Sequence, residues 1–77
     1  MKTKTEIRKK IKRSYMNASA TLEFYARRVG DDSGDMDVLI IDLLTDLRHY
    51  CEKHGLNFAH LGANAMMHAR AEEADGV

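Results

Sequence analysis

The stretch HYCEKHGLNFAHL, residues 49–61, decides how this chain folds. It gathers three of the four histidines and the single cysteine around Gly55. Glycine tolerates the left-handed backbone that closes a helix, so Gly55 stops one helix. Asn57 then offers its side-chain oxygen to an unsatisfied N–H at the start of the next. Leu56 and Leu61 occupy the staple positions before and after that cap, which fixes how sharply the chain turns. His54 finishes the first of the two helices near the negative end of its dipole. The stretch reads as a bend between two helices.

Two sharper readings compete for the same residues. Cys51 and His54, three apart on a helix, can face the same way, and His60 could approach from the following helix, giving at most a cysteine-plus-two-histidine metal set. That spacing fits no standard zinc pattern. Cys51 also falls on an apolar stripe with Leu44 and Leu47, where a thiol serves as a small hydrophobe. No metal is therefore assigned. A helix-turn-helix is the second reading: Cys51, Gly55 and Leu61 fall where that motif has its small residue, its glycine and its apolar anchor. Asn57, His60, Asn64 and Arg70 would then face a DNA groove. Against this, Asn64 stands where the motif buries an apolar residue, and Glu72 and Glu73 follow Arg70, which weakens phosphate attraction.

Upstream of the bend, Met36, Ile40, Leu43, Leu47, Tyr50 and His54 step by 4, 3, 4, 3, 4, the period of a helical seam. Ile41, Leu44 and Cys51 widen that face beyond a two-helix contact, so this helix is expected to touch more than one neighbour and form the centre of the core. It should run over about 35–54, capped by Ser33 or Asp35. The preceding DDSGDMD, residues 31–37, is a polar loop. It resembles a calcium loop only in its alternating oxygens, since Met36 and Asp42 stand where the glycine and closing glutamate belong.

Nearer the start, Thr3 and Glu6 form a capping-box pattern, so the first helix begins near Lys4. Ile11, Tyr15, Ala18, Leu22, Tyr25 and Val29 again step by 4, 3, 4, 3, 4, with Ile7 slightly out of register and Gly30 as the stop. The matched sizes of Tyr25 and Ala18 favour packing within the domain over a two-fold pair through this seam. Downstream, a third helix over about 57–73 carries Phe58, Leu61, Ala65 and Met66 and is expected to fray from about residue 72. The fold class is all-α, one domain spanning 1–77: a long helical hairpin with a shorter third helix, similar to a three-helix bundle.

Composition limits function. No proline interrupts the 77 residues, and helix-favouring side chains dominate. One cysteine forms no internal disulfide, and no apolar run approaches a membrane span or a secretory leader, so a cytoplasmic protein with no membrane contact is expected. A three-helix unit offers little concavity, and nothing resembles an oxyanion hole or another catalytic constellation; no enzyme activity, small-molecule substrate or cofactor is expected. Charge is divided although the net is zero: residues 1–30 carry nine Lys/Arg against two Asp/Glu, while residues 31–77 carry three against ten. Two such halves can screen each other side by side. Alternatively, the basic cluster Lys9, Lys10, Lys12 and Arg13 meets an acidic partner or nucleic-acid phosphate.

The block DLLTDLRHYCEKHGLNFAHL, residues 42–61, resembles part of the small uncharacterised proteins of bacterial phages, plasmids and other mobile elements. The resemblance covers about a quarter of the chain and brings no active-site residues. It implies a regulator or inhibitor that acts by binding, for example on a host system. The expected function is accordingly a helical binding module with a protein partner, or a second copy of itself as a homodimer. Its contact residues are expected to be Lys9, Lys10, Lys12, Arg13, Tyr15, Phe24, Met66 and Met67. The alternative is a helix-turn-helix DNA-binding regulator.

Overall fold

A computed structural model describes residues 3–76; residues 1, 2 and 77 of the expected domain lie outside the described residues. Three helices follow one another: α1 Lys4–Val29, α2 Met36–Lys53 and α3 Phe58–Gly76. They pack in a bundle-like arrangement, and no strand occurs among the described residues.

Local chemistry sets the helix ends. The Thr3 hydroxyl accepts the Glu6 N–H at 3.2 Å, satisfying one of the free donors of α1. At its far end Gly30 takes φ 75°, and the Gly30 and Asp31 N–H groups both turn back to the Ala26 carbonyl. The connecting loop is a relay: Asp31 accepts the Ser33 N–H and hydroxyl, the Ser33 oxygen accepts the Asp35 N–H, and Asp35 accepts the Val38 N–H. Asp35, rather than Ser33, is thus the cap of α2. At the bend, Gly55 has φ 69°, the Leu56 N–H returns to the Cys51 carbonyl at 2.8 Å, and Asn57 accepts the His60 N–H at 3.0 Å. The bend is closed by its own backbone and cap.

The expected all-α, three-helix bundle-like fold is present, and within it α1 packs more extensively on α3 than on α2. α3 runs back antiparallel along the first half of α1: Lys10 Nζ lies 2.8 Å from Glu72 Oε1, and Ser14 shares a groove with Asn64, His68 and Glu72. α3 has 19 residues against 18 in α2, so it is not the shorter element, and it is helical to Gly76, past the expected end near residue 73. The Glu72 contact with Lys10 holds its last turns against α1. α2 meets α1 through Leu39 and through the Tyr25 hydroxyl, which donates to Asp46 at 2.5 Å.

The core is minimal. Ile7, Leu39 and Cys51 are the buried hydrophobic residues among those described, and Leu39, 2% exposed, is the large fully buried one. Ile7, placed outside the regular seam by its spacing, is the buried residue of α1, while Tyr15 and Val29 of the seam are exposed. α2 supplies two of these three buried residues, Leu39 and Cys51, and touches both α1 and α3, as its wide apolar face requires, but most of its stripe is uncovered. The principal extents are 40 × 31 × 16 Å, a slab whose long edge matches the length of α1.

Candidate functional site

The apolar residues that lack cover collect on α2. Ile40, Ile41, Leu44 and Leu47 lie at offsets of one, four and seven along one side of the helix, and all are exposed, Ile41 to 61% and Leu44 to 47%. Leu39 lies against α1 beside Ala26, and Cys51, further along α2, is also buried. Ile40 is also a wall of an open apolar groove between α1 and α2. That groove has a volume of about 520 Å³, with Tyr15, Ala18, Leu22, Ala26, Met36 and Leu39 as its other apolar walls. Strip and groove form one continuous apolar surface.

The expected contact residues divide between faces. Lys9, Lys12 and Arg13 stand three and four apart on α1 and have no ion pair among the described residues. Lys10 leaves this cluster to bond Glu72. The Lys10–Glu72 ion pair joins the basic residues 1–30 to the acidic residues 31–77, and it does so through α3. Tyr15 and Phe24 are both exposed, but nine residues apart on a helix they point in opposite directions. Met66 and Met67 are exposed on α3, and Met16 and Met36 add two further open methionines.

The residues of the DNA-reading alternative are partly committed elsewhere. Asn57 caps α3, and Asn64 Nδ2 lies 3.3 Å from His60 Nε2. Asn64 is half-buried in the wall of the α1–α3 groove, while Arg70 is exposed. Around the bend, His54 stacks on Tyr50 with ring centres 4.3 Å apart. No group of three or more His, Cys, Asp or Glu among the described residues is placed to hold a metal ion.

Among the described residues, Tyr25 and Asp31 are shifted. The hydrogen bond to Asp46, partial burial and the Asp46 and Asp42 charges push the Tyr25 phenol up to about 12. The two Ser33 hydrogen bonds hold the Asp31 carboxyl below its ordinary value. Both effects belong to the joints between elements, and neither creates a reactive centre. No helix among the described residues is long and apolar enough to cross a membrane.

The width of the α2 stripe already exceeds what a short hairpin can cover, but Ile40, Ile41, Leu44 and Leu47 were not among the expected contact residues. No family model matches the chain, and no curated protein or solved structure matches it.

Proposed function

We propose that this chain is a small non-enzymatic helical binding module that acts by contact with another macromolecule, a protein above all, as a mobile-element regulator or inhibitor of a host system. One observation carries the reading. The accessible surface is 6548 Å², whereas a compact monomer of 8.7 kDa would expose about 4,700 Å². The excess of about 1,800 Å² on one chain is about twice the roughly 800 Å² that each partner of an ordinary interface contributes. Sedimentation of the fluorescently labelled chain, alone and in bacterial extract, tests it. The chain should travel as part of a larger particle in at least one condition; migration as a single free chain in both would refute the proposal.

A helix-turn-helix DNA-binding regulator is the second reading. The capped bend at Gly55 and Asn57 and the unpaired Lys9, Lys12 and Arg13 favour it, while the inward placement of Asn64 counts against it. A gel-shift series at rising salt discriminates. Binding that ignores sequence and disappears at moderate salt reduces this reading to charge attraction.

A further inference from the structure

We propose that the basic half of α1, built from Lys4, Arg8, Lys9, Lys12 and Arg13, is a sequence-independent contact for the phosphate backbone of double-stranded DNA. The inference goes beyond the binding-module reading, whose preferred partner is a protein, and it uses neither the bend nor the residues of α3.

Helical spacing makes the face. At about 100° per residue, Lys4, Thr5, Arg8, Lys9, Lys12 and Arg13 fall within one half of the helix circumference, and all six are exposed. Ile7, Lys10 and Ile11, which are buried or half-buried, fall on the other half with Glu6. Glu6 is the one carboxylate between Lys4 and Arg13, and no other acid follows before Glu23. Lys4, Lys9, Lys12 and Arg13 have no ion pair among the described residues, whereas Lys10 on the other half is paired with Glu72. Like charges three and four apart on a helix repel one another and destabilise it; a polyanion laid along the face removes that repulsion.

The face also lacks what other occupants require. Protein interfaces draw their affinity from a core of apolar and aromatic side chains and are depleted of lysine. This half of α1 has no apolar or aromatic residue from Lys4 to Arg13. A helix lying in a bilayer surface sinks an apolar side among the acyl chains, but the apolar side of this stretch, Ile7 and Ile11, is covered or half-covered within the fold. Single strands are held by stacking on aromatic rings, which are also missing here. A duplex backbone needs none of these. It presents about one negative charge per 1.7 Å of axis, so about eight phosphates stand beside the roughly 14 Å from Lys4 to Arg13. The major groove of DNA, about 12 Å wide, admits a helix, and cations spread over half the circumference reach the phosphates of both strands. In duplex RNA that groove is deep and too narrow for side chains to read.

Fluorescence anisotropy of a labelled DNA duplex, titrated with the full chain over a series of salt concentrations, tests the proposal. The duplex should bind at low salt whatever its sequence, and the log–log slope of affinity against salt should be about −4. The triple variant Lys9→Gln, Lys12→Gln, Arg13→Gln should bind at least about tenfold more weakly and lose about 3 from that slope, about 1 for each phosphate contact. A control triple, Arg28→Gln, Lys53→Gln, Arg70→Gln, makes the same change in net charge elsewhere and should leave the slope as it was. If circular dichroism shows that the first triple has lost helix, the single variant Lys12→Gln takes its place and should remove about 1 from the slope. Absence of binding at low salt, an equal loss in the control triple, or a slope indifferent to Lys9, Lys12 and Arg13 overturns the proposal. Tighter binding to duplex RNA, or to vesicles of phosphatidylserine and phosphatidylcholine, overturns it as well.

Discussion

The Tyr25 hydroxyl spans the α1–α2 junction to reach Asp46, and that carboxylate, with Asp42 close by, opposes loss of the phenol proton. Folded Tyr25 titrates near 12 against an ordinary value of 10.0, so the folded chain keeps a proton that the unfolded chain releases. The stabilisation is fully present below pH 10 and declines as pH rises toward 12. Absorbance titration near 295 nm should resolve one late tyrosine among the three, and Tyr25→Phe should remove that late component. Leu39 presents a different sensitivity. Its side chain is fully buried, so Leu39→Ala should lower unfolding free energy by about 2–4 kcal/mol. Its exposed neighbour Val38 should tolerate alanine within about 0.5 kcal/mol, and urea midpoints of the two variants make the comparison. Spacing alone had ranked these residues differently. Ile7 looked off-register and is buried, whereas Leu44 and Leu47 looked internal and are open, because periodicity identifies an apolar side without saying what lies against it.

Helix ends were the most legible elements, since a cap is a contact between residues two to five apart. Thr3, Asp35, Gly55 and Asn57 all act as their residue types require, and the helix starts and the first two ends fall within about a residue of those expected. Partner choice was not legible. The 4, 3, 4, 3 seam of α1 suits any antiparallel neighbour, and α3 takes the place that the hairpin reading had given to α2. The caps also make testable demands. Gly55→Ala meets open space but must hold φ near 69°, so it should cost about 1 kcal/mol through backbone strain without any clash. Asn57→Ala should cost a similar amount, about 1 kcal/mol, by leaving the His60 N–H without its acceptor. Thermal melts followed by far-ultraviolet circular dichroism check both. The Lys10–Glu72 pair, partly open to water, should show a coupling of only about 0.5 kcal/mol in a double-mutant cycle.

For the molecule as a whole, surface area and radius both exceed those of a compact chain of this length. This scale was the least accessible to sequence reading: whether Ile40, Ile41, Leu44 and Leu47 face a neighbouring helix of the same chain or water depends on how α2 is set against α1, which no local pattern encodes. Exposed Met16, Met36, Met66 and Met67 add a chemical vulnerability to this open architecture. Each thioether is accessible to peroxide, and conversion to the sulfoxide turns a pliable greasy side chain into a polar one. An oxidising burst would strike Met36, at the mouth of the α1–α2 groove, before it reached the sheltered thiol of Cys51, and methionine sulfoxide reductase would be the activity that restores it.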